Sequence, residues 1–345
     1  MLIYSEKMKR LLYIVLAVAL FGCQQYEYTL TLGDIEFCAA IASRNSVTQG
    51  NINNESTTVI LYGVQNSNNA IYDNTPLHLD TAGNTGKWIP EEKNNTRQQW
   101  KAGSSYIFHA YAYNTTSGLT ITKDKDGLEI QVDQPKTYNR NNPNAMVDYL
   151  LSYSFKVADG SAQPIVQLQL EHAMSAVEIY VVKGNNFDAR LDALKFEGIY
   201  SAGTMKCTSQ AIANSGERNV WDVSPSGNNS TAYELVPAAN EIIEIGDSRE
   251  ETAAKMSFMC LPQQLTANTK LTITYQVNEV TADNNNNYVQ HVEEFYLYNY
   301  SPMVYQSGHR VIYTITVDSG VNIEGTVSEW KDVDYIEGTV LPEVK

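Results

Sequence analysis

Charge is scarce in this chain and weighted to one sign. Only 18% of its 345 residues are charged, and 24 Lys and Arg are scattered among 39 Asp and Glu, for a formal net charge of −15. Binding to nucleic acid needs basic side chains clustered on one face, where they displace counterions from phosphates, so that class of partner is excluded. The carboxylate excess reads as a solubilising surface charge. Histidine and cysteine are also rare, at 5 and 4. His78, His109, His172, His291 and His309 form no HExxH and no pair at metal spacing, and no two cysteines stand as CxxC, so no metal site is expected. The nucleophile-elbow, phosphate-loop and dinucleotide motifs are missing. Asp124-Lys125-Asp126-Gly127 lacks the remaining ligands of a calcium loop and reads as a hairpin turn. A pair of carboxylates at glycosidase separation leaves no signature in a sequence. With no motif to place one, no catalytic residue and no cofactor are assigned, and the chain is read as non-enzymatic.

A run of about 20 apolar residues, enough to span a membrane, is missing as well. Lys7, Lys9 and Arg10 precede a shorter apolar stretch, Leu11 to Phe21, and Leu20-Phe21-Gly22-Cys23 follows in the pattern of a bacterial lipobox. Basic segment, short apolar segment and lipobox in that order predict a lipoprotein signal peptide over 1–22, with Cys23 lipidated after cleavage and lipid as the membrane anchor. Three cysteines then remain, Cys38, Cys207 and Cys260, so at most one intrachain disulfide can form. Cys207 and Cys260 read as buried small apolar side chains.

Helical periodicity is nearly absent; Asp188 to Leu194 is the one short helical turn expected. What is abundant is tyrosine, at 23 residues, and short runs rich in Val, Ile and Thr. These suit a pleated, half-buried surface. Ile35, Phe37, Ala39 and Ile41 alternate with polar neighbours, as do Val166, Leu168 and Leu170, then Leu271, Ile273, Tyr275 and Val277, then Val311, Tyr313, Ile315 and Val317. Each set reads as a strand with one buried face. Asn- and Gly-rich stretches such as 66–69, 139–144, 224–230 and 283–287 separate them as turns. Many short strands and few helices predict an all-β fold of packed sandwiches. The length suggests two domains, and Lys183-Gly184-Asn185-Asn186 is the best internal break, giving an N-terminal domain over 23–184 and a C-terminal domain over 185–345. Trp100, Tyr106 and Phe108 are expected in the first core. Tyr296, Tyr298 and Tyr300 read as one face of a strand. Exposed, they could stack on sugar rings; packed across a sheet they are ordinary β material, and β propensity favours packing.

Several stretches, in order, resemble the fimbrillin superfamily of type V pilus subunits. They are the lipobox ending at Cys23; Ile35-Glu36-Phe37-Cys38-Ala39-Ala40-Ile41 followed by Arg44; Trp100 to Tyr111, similar to a W-x-x-G-x-x-Y-x-F-x-A-Y element; Leu168 to Val177, with His172, Ala173, Ala176 and Val177 in place; Cys260-Leu261-Pro262-Gln263; and Gly325 to Trp330. Ser175 and Cys38 depart from the family pattern. The resemblance implies two tandem transthyretin-like β-sandwich domains, export as an outer-membrane lipoprotein and a place on the cell surface. It also implies other pilus subunits as partners, with a surface receptor or glycan as target, and proteolytic cleavage after Arg44. Cleavage would release a first strand carrying Ile35, Phe37, Ala39 and Ile41, and a neighbour's strand would fill the groove. Val333, Tyr335, Ile336, Val340 and Leu341 are the candidate donor segment. The alternative is a surface glycan-binding lipoprotein of a nutrient-uptake system.

Overall fold

The computed structural model describes residues 31–41, 58–79, 87–91, 97–113, 117–124, 127–138, 146–159, 165–184, 188–208, 220–223, 230–280, 286–300, 302–318 and 321–329. Cys23, Arg44 and the segment holding Val333, Tyr335, Ile336, Val340 and Leu341 lie outside them. The described chain is almost entirely strand, as the period-two patterning predicts.

The N-terminal half closes on itself. Its barrel is built from β2 (Phe37–Ile41), β3 (Val59–Gln65), β4 (Asn69–Leu79), β5 (Lys87–Pro90), β7 (Ser105–Tyr113), β10 (Tyr149–Val157) and β11 (Val166–His172). The order around it is β10-β11-β2-β5-β4-β3-β7, and β7 returns to β10 from Tyr113↔Tyr149 to Ser105↔Val157. Pairing all the way round leaves the barrel no free sheet edge, which an open sandwich would have to protect. A small ribbon of β1 (Thr31–Asp34) and β6 (Gln99–Lys101) stands beside it.

The expected boundary at 184 does not coincide with the change of partners. β12 (Ser175–Lys183) pairs with β18 (Lys255–Cys260) and β23 (His309–Val317), so the chain crosses into the second unit between His172 and Ser175. Lys183-Gly184 ends β12 inside that unit, and the next described strand is β13 (Ala189–Tyr200), in the facing sheet. The short helix expected over 188–194 is the start of that strand. There Ala189, Leu191 and Leu194 are buried, and an irregularity in pairing between Leu191 and Ala193 carries the alternation past the extra residue.

The second unit is a sandwich. One sheet runs β18-β12-β23-β24, with β24 at Val321–Glu329. The other runs β16-β13-β20-β21, with β16 at Ser230–Leu235, β20 at Lys270–Val280 and β21 at Asn286–Tyr296, and β17 (Ile243–Glu244) also on β13. Val177, Ile179, Phe196, Phe258, Ile273, Val311 and Tyr313 meet between the sheets. β19 (Gln263–Gln264) and β22 (Val304–Tyr305) form a short ribbon at its end.

A further sheet ties the halves together. β8 (Leu119–Asp124) and β9 (Gly127–Asp133) form the expected hairpin, and β14 (Ala202–Thr208) and β15 (Val220–Asp222) extend it from the C-terminal half. Gly127 stands at φ +142°, and a Cβ there would lie 2.2 Å from the Cys207 carbonyl oxygen, so the pairing requires glycine. This sheet packs on the barrel through Tyr62, Tyr111, Ile130, Val147, Tyr149, Met205 and Cys207. At the crossing, the fully buried His172 and Asp148 side chains meet at 2.9 Å, and Gln134 spans both the N–H and the C=O of Val147 at 2.7 Å each. The large majority of buried polar groups in folded proteins are bonded in this way.

Candidate functional site

β2 is a short stave set between two unequal neighbours. It runs parallel to β11 over its whole five-residue length, from Phe37↔Val166 to Ile41↔Leu170. Its other neighbour, β5, runs antiparallel and engages it only at Phe37↔Trp88 and Cys38↔Lys87. The Val166 N–H donates to the Glu36 carbonyl at 2.8 Å, which sets the register. The strand is shorter than the alternation of Ile35, Phe37, Ala39 and Ile41 predicts. At Ile35-Glu36 the chain leaves β6, which pairs with β1, for β11 and β5, and the Ile35 N–H donates instead to Gln98 O at 2.9 Å. Ile35 is nonetheless buried in the same core as Phe37, while Ala39 and Ile41 pair with Leu168 and Leu170.

Phe37 is the anchor. It is fully buried, with its ring edge-on to Phe108 at 5.3 Å and to Tyr72 at 5.6 Å. Phe108 in turn meets Trp100 and Tyr106, both 6.0 Å away, so the expected burial of Trp100, Tyr106 and Phe108 holds and serves as the wall of the Phe37 pocket. Edge-on aromatic pairs of this kind add about 0.5–1.5 kcal/mol each beyond area burial. Gly63 on β3 completes the wall, because a Cβ there would lie 2.8 Å from the Tyr72 ring.

The polar ties around β2 are weak by comparison. Lys87 Nζ donates to Glu36 Oε1 at 2.8 Å, and Arg97 lies 3.4 Å from Asp34, but these side chains are between 34% and 62% exposed. Pairs so exposed contribute roughly 0–1 kcal/mol. The first strand is thus held by one deep aromatic, one fully paired edge and one half-paired edge. Cys38 faces away from the core, half-buried and opposite Gln167. Burial pushes its thiol pKa up. The Glu36–Lys87 tie and the Cys38–Gln167 register are visible only once the strands pair; the Gln167–Gln169 alternation in the sequence marks an outward face and nothing more.

The remaining predicted positions take structural places. His109 is buried between the barrel and the side sheet, with Nδ1 3.6 Å from the Cys207 sulfur and the Tyr62 and Tyr153 rings beside it. Burial pushes its pKa down to about 3. Cys207 and Cys260 are buried and, like Cys38, not in disulfides. Among the described residues no group of three metal-ligating side chains comes together. The three tyrosines do not share a strand face: β21 ends at Tyr296, and a 3-10 turn over Leu297–Asn299 buries Leu297, leaving Tyr296, Tyr298 and Tyr300 exposed at 47%, 43% and 38%. The 3-10 turn, closed by the Tyr300 N–H donating to Leu297 O at 3.0 Å, ends the strand at Tyr296 and so breaks the expected face.

A family model described as fimbrillin-like matches residues 42–330. Among solved structures, the chain is similar to a fimbrial protein from Bacteroides vulgatus, with 14% sequence identity, a TM-score of 0.60, and coverage of 86% of this chain and 99% of that one. It also matches candidate cell adhesion proteins from Bacteroides uniformis (13% identity, TM-score 0.46, 86% of this chain and 99% of that one) and Bacteroides ovatus (15% identity, TM-score 0.46, 88% and 99%). No curated protein sequence matches the chain.

Proposed function

The chain belongs to the fimbrillin-like family, and on that premise we propose that it is a structural and adhesive subunit of a cell-surface pilus in which β2 is a replaceable strand. The observation that carries this reading is the position of β2. Withdrawing a stave from a closed barrel exposes the β11 backbone along its length, the β5 backbone beside Phe37 and Cys38, and the pocket of Phe37 at once. Unpaired backbone groups and bare apolar surface are both unfavourable in water. An extended segment from another copy relieves both by adding itself as a strand. In this proposal Cys23 carries the lipid that delivers the chain to the outer membrane, Arg44 is the processing site just behind β2, and the segment with Val333, Tyr335, Ile336, Val340 and Leu341 enters the neighbour's groove. The role is architectural, with other pilus subunits as partners and no cofactor.

Digestion with an arginine-specific protease, followed by size measurement, tests the reading. The expected result is cleavage after Arg44, loss of the first strand and growth into polymers. A cleaved product that has lost residues 31–41 yet stays monomeric at high concentration refutes it. Polymers formed equally well by a chain lacking residues 331–345 refute the donor assignment alone.

A further inference from the structure

The outer face of the C-terminal sandwich carries an open cavity of about 520 Å³ beside the β18 edge. That size suits a small ligand. Tyr138 and Tyr180 line it, Thr252 and Met256 form part of its base, and Glu251 and Lys255 stand exposed on its rim. We propose that this cavity binds a neutral pyranose ring, as the terminal or internal unit of a glycan.

The argument starts from the aromatics. A pyranose has one apolar face of C–H groups and a girdle of hydroxyls, so it needs a flat ring to lie against and polar groups around it. Both tyrosines are half-buried, so each keeps surface to offer, and both are fixed. The Tyr180 hydroxyl donates to Glu178 Oε2 at 2.8 Å, and the Arg249 guanidinium lies 6.0 Å from its ring while donating from Nε to Thr314 at 2.8 Å. Tyr138 packs against the sandwich core, and its hydroxyl lies 3.5 Å from the Ser257 N–H. The base is equally rigid: Thr252 Oγ1 donates to Val181 O at 2.6 Å and accepts from the N–H groups of Gly246 and Ala254 at 3.2 Å each. Walls already in place spare a ligand the cost of ordering them.

The rim sets the charge of the ligand. Glu251 and Lys255 are of opposite sign, and among the described residues neither is held in an ion pair. An anion would meet the Glu251 carboxylate, and a cation the Lys255 ammonium. A hydroxyl donates to the first and accepts from the second, so a neutral polyol satisfies both. The exposed Tyr296, Tyr298 and Tyr300 are arranged differently: they stand around a 3-10 turn rather than along one strand face.

Saturation-transfer NMR on the purified protein, with the methyl glycosides of glucose, galactose, mannose and N-acetylglucosamine, tests the site. Methyl glucuronide and glucosamine serve as the charged counterparts. At least one neutral glycoside is expected to bind, and the charged analogues several-fold more weakly. Tyr138→Ala and Tyr180→Ala should each weaken binding about tenfold or more, with Tyr298→Ala unchanged. Glu251→Gln and Lys255→Gln, both on the exposed rim, keep the test valid if a tyrosine variant fails to fold, and each should narrow the preference for neutral sugars. No transfer from any neutral glycoside at tens of millimolar, binding lost in Tyr298→Ala instead, or a preference for a charged sugar overturns the proposal. Polymerisation after protease treatment is a separate readout, so failure here leaves the strand-replacement reading standing.

Discussion

A covalent lock on β2 gives the sharpest test of its role. Cys38 stands in register with Gln167 on β11, both side chains on the outward face. Paired positions on neighbouring strands lie about 4.8 Å apart, inside the range a disulfide accepts, about 4.4–6.8 Å between Cα atoms. Gln167→Cys, with Cys23→Ser to remove the lipid-bearing thiol, is therefore expected to join Cys38 on oxidation. Cys207 and Cys260 do not compete, because both are buried and burial pushes the Cys260 thiol pKa well up. The new bond closes a loop of about 130 residues, for which chain entropy predicts about 5 kcal/mol of added stability. That exceeds the roughly 0–1 kcal/mol of each exposed ion pair tying the strand today. After arginine-specific cleavage the oxidised protein should stay monomeric, with the first-strand peptide still attached under non-reducing conditions. Reductant should restore release and polymer growth. Gln169→Cys, two positions further along, should not cross-link and serves as the register control. If the oxidised, cross-linked protein polymerises at the unlocked rate, β2 is not the strand that is replaced, and the reasoning fails.

Phe108→Ala should destabilise the protein by about 3–5 kcal/mol, since the ring is fully buried against Phe37, Tyr72, Trp100 and Tyr106; an unchanged denaturation midpoint contradicts this packing. His109 makes stability fall in acid. Its folded pKa of about 3 lies below the ordinary value, so the unfolded chain takes up a proton first as pH drops through about 6.5. Stability is then full above pH 6.5 and lost progressively towards pH 3, by on the order of 4 kcal/mol. Denaturant midpoints against pH should show this limb flattened in His109→Gln, and a limb unchanged by that substitution refutes it. Cys23→Ala should abolish incorporation of a palmitate analogue, whereas label retained by the variant rules out Cys23 as the lipid site.

Alternation alone marked the strands that matter most. Val166-Gln-Leu-Gln-Leu and Leu271-Thr-Ile-Thr-Tyr show their buried faces residue by residue, because a strand with one side in water must repeat every two positions. The ordered motifs from Ile35 to Trp330 likewise sufficed to point to the family. Local pattern failed where burial came from a partner distant in sequence. Asp188 to Leu194 looks helical because a bulge interrupts its alternation, and the tyrosines at 296, 298 and 300 look like one face although the strand ends at Tyr296 in a 3-10 turn. Lys183-Gly184 has the composition of a linker, yet it lies between the two sheets of one sandwich, since the change of partners comes earlier, after His172. The all-β class, the buried face of the first strand and the aromatic wall behind it follow from local periodicity along the chain. Which strands lie beside β2, the opposition of Cys38 to Gln167, and the placing of Tyr138 and Tyr180 around one cavity beside β18 depend on how distant strands pair. Pairing between strands more than a hundred residues apart depends on the whole core closing, and no short window of sequence carries that information.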